Sequence, residues 1–439
     1  MGIGPIGPIG PIKPIKPIKP FKPFKPAPWF DEAKYGMFIH WGLYAIPAGW
    51  WAGEKIPSAG EWILKLAKIP AGEYKKLAAD FNPARFDAKA VVALAAEAGM
   101  KYIVFTAKHC EGFAMYDSAA SDFTIAKSSP YKKDVVRALA GECERRGIVF
   151  CVYYSQYQDW IEPDGYGNDW DFPEGGKDFE RYFRQKALPQ VRELLTNYGR
   201  IGLIWFDTPY EMPEALCAEL ADCVNGLQPE CLISGRVGYG LGDYAQMGDN
   251  SIPARPFEGR WETPMTLNDT WGYRKDDQNF KSPQAVLSML VNVAGKGGNL
   301  LLNVGPDASG DIPGQSADIL RKVGAWLARN GDSIYGTTCC PDFPYELNWG
   351  RFTRKGSKLY MHVLNWPQSG EIVIYGLKTR VLRAYPLADA SRGPLSIAQG
   401  YETGRDQYHF RVALPERCAD PLDTVVVLEL SGEPEVYNY

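Results

Sequence analysis

The sequence predicts an α/β protein: a (β/α)8-like barrel followed by a C-terminal antiparallel β-sandwich. Three observations carry that prediction. From Pro28 onward strand and helix signals alternate in six or seven units, which implies a parallel sheet with right-handed crossovers. Neither phosphate-binding glycine pattern of the open nucleotide-binding sheets is present, since Gly295-Lys-Gly-Gly298 precedes a strand instead of opening a helix. A closed barrel of about eight strands therefore fits better than an open sheet. Beyond residue 350 the apolar period changes to two, with turn signals between short runs, as a sandwich requires.

Residues 4–26 form a low-complexity repeat with Pro at every third position, Gly-Pro-Ile passing into Lys-Pro-Ile and Lys-Pro-Phe. A polyproline II helix has three residues per turn, so Pro, Lys and Ile or Phe would lie on separate stripes. This stretch is either a mobile tail or a semi-rigid arm, which through Ile15, Ile18, Phe21 and Phe24 would dock on a groove or on a neighbouring subunit of a homo-oligomer. The first strand, over 34–42, ends on His40. Ala-rich helical periodicity follows over 71–79 and 87–98, then a buried strand over 101–106 leading to Ala-Lys-His-Cys-Glu-Gly-Phe113. A helix over 134–146, stopped by Gly147, feeds a strand over 148–154, and a helix over 178–198 feeds the strand 201–206. Helices over 213–227 and 282–294 feed strands at 231–234 and 299–304. The region 240–281 has no clear helix and is expected to be an irregular excursion over the barrel mouth. After a helix over 315–328, short alternating runs at 358–364, 371–375, 408–412 and 424–430 form the sandwich. The expected divisions are an arm over 1–27, a barrel over 28–336 and a sandwich over 337–439.

Composition narrows the function. The 439 residues are 45% hydrophobic and 23% charged, ordinary for a globular protein, and a net charge of −4 leaves no electrostatic footprint for nucleic acid or an anionic membrane. No stretch approaches the ~18 to 20 apolar residues of a membrane span, and the N-terminus lacks a signal-peptide pattern, so a cytoplasmic address is expected. Nine scattered Cys make neither a disulfide framework nor a metal-ligand spacing, and no metal or cofactor is expected. The 13 Trp and 25 Tyr are many, and aromatic rings stack on the apolar faces of sugars as well as filling cores.

The apolar run Ile201-Gly-Leu-Ile-Trp-Phe206 delivers one carboxylate, Asp207, before Thr208-Pro209 stops the strand. In barrel enzymes reactive side chains sit where such strands end. An Asp there also serves as a helix cap or a turn residue, so the neighbouring units decide. Their strand ends offer His40, His109, Tyr154 and Arg236, and two of only four His in the chain fall at such positions. Glu61-Trp62 adds a carboxylate and a ring, and Trp205 and Trp271 add further ring faces. Such a set describes a pocket for a neutral, hydroxyl-rich ligand. Glycoside cleavage suits it, with one carboxylate as nucleophile and a second carboxyl group as acid/base, about 5 Å apart for retention. Asp207 is the natural nucleophile, and the excursion Pro256-Phe-Glu-Gly-Arg-Trp-Glu262 supplies Glu258 and Glu262 as acid/base candidates.

Phe38-Ile-His-Trp-Gly42, Glu61-Trp62, Thr106-Ala-Lys-His109 with Gly112-Phe113, Tyr153-Tyr-Ser155, Ile204-Trp-Phe-Asp207, Trp261-Glu-Thr263 with Asn268-Asp-Thr-Trp-Gly-Tyr273, and Leu300-Leu-Leu-Asn-Val-Gly-Pro306 together resemble the α-L-fucosidases of glycoside hydrolase family 29. The resemblance runs in order from about residue 29 to 336. It implies a retaining exo-fucosidase with Asp207 as nucleophile, and fucose held by His40, Glu61, Trp62, His109, Tyr154, Trp205, Arg236 and Trp271. The family's acid/base usually precedes the Trp-Glu pair, which makes Glu258 the first choice and Glu262 the second. Where the family shows two adjacent His before Asp-Gly-Phe, this chain has His109-Cys110-Glu111-Gly-Phe113, and the weak donor Cys110 implies a changed sugar contact. The partner implied is a fucosylated oligosaccharide or glycoconjugate. A non-catalytic fucose-binding protein on the same fold, and a barrel glycosidase acting on α-L-galactosides, are the competing readings.

Overall fold

The computed structural model describes residues 25–343, 345–388 and 393–437, so nearly all of the repetitive arm lies outside the described residues. Eight parallel strands form one curled sheet: β1 (Tyr35–Ile39), β2 (Tyr102–Lys108), β3 (Val149–Tyr154), β4 (Leu203–Phe206), β5 (Leu232–Ile233), β6 (Ala245–Gln246), β7 (Trp261–Thr266) and β8 (Asn299–Val304). Their order is β5-β4-β3-β2-β1-β8-β7-β6. The end strands meet across a narrow seam, a single bridge between Ser234 and Tyr244. A side chain extends the ladder there: Asp243 Oδ2 accepts the Ile233 amide at 2.9 Å and Lys25 Nζ at 2.9 Å, while Lys25 Nζ also reaches the Cys231 carbonyl at 2.8 Å.

Strand alternation sorts the side chains into two layers. Phe38, Tyr102, Val104, Cys151, Tyr153, Leu203, Trp205, Leu232 and Leu301 pack inside the barrel, with Phe30 and Ala33 of the short helix α1 (Pro28–Ala33) as its base. Ile103, Phe105, Val152, Tyr154, Ile204 and Phe206 face outward to the helices. Gly36 is required by close approach, since a Cβ there would lie 2.4 Å from the Tyr102 ring.

Local chemistry starts and stops the helices. Asp87, Asp134 and Ser282 accept backbone amides as N-caps of Ala88–Glu97, Val135–Arg146 and Pro283–Gly295, and Gly147 ends the second in a left-handed conformation. The helix expected over 178–198 instead has a π turn at Phe183–Ala187 between Phe179–Tyr182 and Leu188–Asn197. Pro189 lacks the amide that would continue the ladder there. No helix among the described residues is long and apolar enough to cross a membrane.

The excursion over 240–281 is not wholly irregular, because it contains β6 and the six-residue β7. Pro264, in the middle of β7, obscures the strand pattern. Chain direction matters more. After β6 the backbone climbs beside β7, with the Asn250 amide on the Pro264 carbonyl at 3.0 Å, then returns to start β7 beside the first residues of β8, Glu262 opposite Asn299. Residues 252–260 therefore lie at the strand-start end of the barrel, not over its mouth.

Beyond the helix Gly314–Asn330, a four-stranded antiparallel sheet packs on a three-stranded one. The first holds β9 (Gly350–Lys355), β10 (Lys358–Val363), β15 (Thr424–Leu430) and β12 (Val381–Pro386), and the second β11 (Glu371–Tyr375), β14 (Gln407–Ala413) and β13 (Ile397–Glu402). Leu359, Met361, Ile374, Phe410, Val426 and Leu428 fill the space between them. Tyr360, Val425 and Val427, on the other face, join the barrel's outer core, and Trp326 Nε1 donates to the Asp423 carbonyl at 2.7 Å.

Candidate active site

A cavity of about 130 Å³ opens where the barrel strands end, with Asp207, one residue past β4, on its wall. The Asp207 backbone is held by Gln156, whose Oε1 accepts its amide at 2.9 Å and whose Nε2 donates to its carbonyl. Its carboxylate is surrounded by donors. Oδ1 accepts the Thr208 amide at 2.7 Å, the Thr208 hydroxyl at 3.3 Å and Arg236 Nη1 at 3.2 Å, and Oδ2 accepts the Tyr153 hydroxyl at 2.7 Å. Burial alone would push its pKa up, but Arg236, Tyr153, His109 and the Thr208 amide outweigh it and hold the carboxyl below its ordinary value. Asp207 is thus a partly buried carboxylate kept ionised.

Arg236, from the turn Gly235–Val237 after β5, lies over the Trp205 ring with its guanidinium carbon 4.7 Å from the centroid. Its Nη1 meets Asp207 and its Nη2 meets Asp249. One guanidinium thus joins the partly buried Asp207 carboxylate to a second one at the cavity mouth, where the Asp249 side chain is 48% exposed. Asp249 was not singled out from the sequence. Its neighbour Asn250 fixes it, accepting the Thr266 amide on Oδ1 at 2.8 Å.

Two histidines face this pair. Burial first, and the facing His109 second, lower the His40 pKa to about 3, while burial lowers that of His109 to about 4. Both are neutral imidazoles near neutral pH. His109 stacks on Tyr153 with 5.5 Å between ring centroids, and Tyr153 stacks on Trp205 at 5.4 Å. Glu61 is buried, its Oε2 accepting the Gly272 amide at 2.8 Å and the Thr270 hydroxyl at 3.2 Å, while Oε1 has no protein partner. Burial raises its pKa despite those donors. Trp62, Trp205 and Trp271 complete the aromatic walls, joined by Phe38, Gln158, Thr208, Tyr210 and Pro264.

Of the residues expected from sequence, the structure brings together Asp207, His40, Glu61, Trp62, His109, Trp205, Arg236 and Trp271. Three others lie elsewhere. Tyr154 points outward and donates to Gln190 Oε1 at 2.8 Å, because alternation along β3 gives the inward position to Tyr153. Glu258 is exposed in the 252–260 loop, at the strand-start end. Glu262 is inside the barrel beneath Trp205, accepting Tyr102 Oη at 2.6 Å, Gln246 Nε2 at 2.8 Å and Trp205 Nε1 at 3.0 Å. Burial pushes its pKa up to about 7 against those three donors, but the indole separates it from the cavity. Cys110 is buried with Sγ 3.3 Å from Ser155 Oγ and does not line the cavity. Among the described residues no cluster of His, Cys, Asp or Glu is arranged to hold a metal ion.

This geometry can be set beside known proteins. The family model for alpha-L-fucosidase matches residues 19–332. The chain belongs to the alpha-L-fucosidase family. It is 31% identical over 365 residues to the tissue alpha-L-fucosidase of Bos taurus, covering 78% of this chain and 75% of the relative. The alpha-L-fucosidase structure from Vibrio sp. strain EJY3 superposes with a TM-score of 0.88 at 34% identity, over 93% of this chain and 73% of that one. That of the Lactobacillus casei alpha-L-fucosidase, in complex with alpha-L-fucose product, superposes with a TM-score of 0.66 at 40% identity, over 69% of this chain and 99% of that one. The fold and the family agree, and the fucosidase is a glycoside hydrolase.

Proposed function

We propose that the chain is a retaining exo-α-L-fucosidase, removing terminal α-L-fucosyl residues from oligosaccharides or glycoconjugates by double displacement, with Asp207 as nucleophile and Asp249 as acid/base. The observation that carries this reading is the arginine bridge, in which Arg236 pairs with two carboxylates from different loops that line one cavity. Two carboxyl groups about 5 Å apart are what retention needs. The small cavity supports the exo mode, since it has room for one sugar ring. Oδ1 of Asp207 is occupied by three donors, whereas Oδ2 has only Tyr153, so Oδ2 is the oxygen placed to attack C1.

In the first step Oδ2 bonds to C1 as the C1–O bond breaks, and the departing oxygen takes its electron pair and the proton of Asp249. In the second, Asp249 takes a proton from water as the water oxygen attacks C1, and the ester electrons return to Asp207. Glu61, with a free Oε1, binds ring hydroxyls, as do the neutral histidines, which add no charge. A 2-deoxy-2-fluoro-fucosyl inactivator tests the reading: peptide mapping is expected to find the label on Asp207, and a label on another residue, or inversion of the anomeric centre in NMR, overturns it.

A further inference from the structure

Asn303, at the end of β8, is fully buried and makes two hydrogen bonds that leave it no freedom. Its Nδ2 donates to the Trp271 carbonyl at 2.7 Å, and its Oδ1 lies 2.7 Å from His40 Nδ1. A carbonyl oxygen can only accept, so the amide orientation is settled by Trp271: the NH2 group must face it and the oxygen must face His40. His40 is neutral, so its single ring proton must then sit on Nδ1. Nε2 is left as a bare acceptor on a ring that lines the cavity, with no donor from the described residues. The same amide ties His40 to Trp271, whose ring centroids are 5.1 Å apart, and the His40 backbone is itself fixed to β8 through the Val304 carbonyl at 3.1 Å.

We propose that Asn303 is a positioning residue that locks His40 in its Nδ1-protonated form, so that Nε2 accepts a hydrogen bond from a fucose hydroxyl, and that it sets Trp271 against the same sugar. The logic is that of a second partner choosing which ring nitrogen of a histidine is free. The sugar contact rests on the fucosidase reading, whereas the tautomer does not. Around His40 the titratable groups are His109 after β2, Tyr153 on β3, Asp207 after β4 and Arg236 after β5. None of them contacts Nδ1.

The chain has only four His, so nitrogen-15 NMR of the ring nitrogens of the whole protein is tractable, with the His40→Gln spectrum assigning the signal. The expected result without ligand is a protonated Nδ1 and a bare Nε2, with the Nε2 resonance moving when α-L-fucose is added. A protonated Nε2, or a resonance that ignores bound fucose, overturns the proposal. Asn303→Leu is expected to mix the tautomers and to lower kcat/KM by about tenfold or more, chiefly through KM. Asn303→Asp keeps the shape but puts a carboxylate beside Nδ1, which favours the imidazolium. Its kcat/KM is expected to fall as pH drops through the new His40 pKa, a second acid limb in addition to the one that Asp207 gives the parent. If Asn303→Leu does not fold, the Asn303→Asp profile decides: absence of the second limb overturns the proposal. Loss of all fucosidase activity in the parent would sink the functional reading and leave the tautomer measurement standing.

Discussion

Tyr153 donates its phenolic proton to Asp207 Oδ2 at 2.7 Å, from a ring held between His109 and Trp205. A donor on a reacting carboxylate both aims it and keeps it ionised. Tyr153→Phe is expected to lower kcat/KM by about 10- to 100-fold, the worth of a hydrogen bond to a charged group. In the proposed mechanism Asp207 acts as an anion, so activity is expected to fall as pH drops through its pKa. Losing a donor raises that pKa, and the acid limb of the pH profile is expected to move to higher pH. Tyr154→Phe, on the outer face, should leave both within about twofold and cost only ~1 kcal/mol of stability through Gln190.

Asp249→Ala is expected to reduce hydrolysis of poor leaving groups by about 10²- to 10⁴-fold, the usual contribution of a general acid. Activated aryl fucosides, whose oxygen departs without a proton, should lose far less in the glycosylation step, and azide should restore turnover as a fucosyl azide. Glu258→Ala at the far end of the barrel should change neither substrate. A Glu258→Ala enzyme with the aryl-selective defect would reverse the assignment.

The Glu262 carboxyl, with its pKa near 7 through burial, makes stability depend on pH. Between its unfolded pKa of about 4.3 and 7 the native state holds a proton that the unfolded chain has lost, so stability falls as pH rises through that window and levels off above it. The expected loss is roughly 4 kcal/mol at most from linkage at 1.36 kcal/mol per pH unit. Glu262→Gln should flatten the slope in urea titrations from pH 5 to 8, and an unchanged slope would refute the assignment.

At the seam, Asp243→Ala strands the buried Ile233 amide and removes the partner of Lys25. A cost of about 2 to 4 kcal/mol is expected, typical of leaving a buried donor and a charge uncompensated. Because Arg236 lies just past this seam, thermal denaturation and kcat/KM should decline together. Lys25→Ala, with its side chain 21% exposed, should show a weaker version of both.

Much of this was legible in the chain because burial on both faces writes continuous apolar runs, and such runs end where the chemistry sits: Phe206 before Asp207, Ile39 before His40. Glu61 and Trp271 could be placed at the mouth by their motifs, although no strand periodicity reaches them. Adjacent tyrosines are harder. Tyr153 and Tyr154 have the same chemistry, and only the strand's phase, set by Cys151 inside and Val152 outside, tells which one lines the cavity.

The positions of the two glutamates were hidden for a different reason. Glu258 and Glu262 are near β7 in sequence, but a proline inside that strand hid its direction, and with it the end of the barrel on which each glutamate falls. Asp249 sits in a Gly-Asp-Asn turn that looks like any surface turn until Asn250 is seen to anchor it on Thr266. Its place on the cavity depends on contacts between segments distant along the chain, which local patterns do not record.

Lys25 closes on Cys231 across 206 positions of chain, and Phe30 packs in the barrel base beside Tyr244. The earliest part of the described chain to leave the ribosome is therefore among the last to find its partners. Until residue 243 has been synthesised, one edge of a growing parallel sheet stays unpaired and its apolar floor uncovered, the kind of long-range pairing that folds slowly and exposes intermediates to aggregation. Anything that delays delivery of this amino-terminal stopper should show first as insoluble product during expression, before any defect in the purified enzyme.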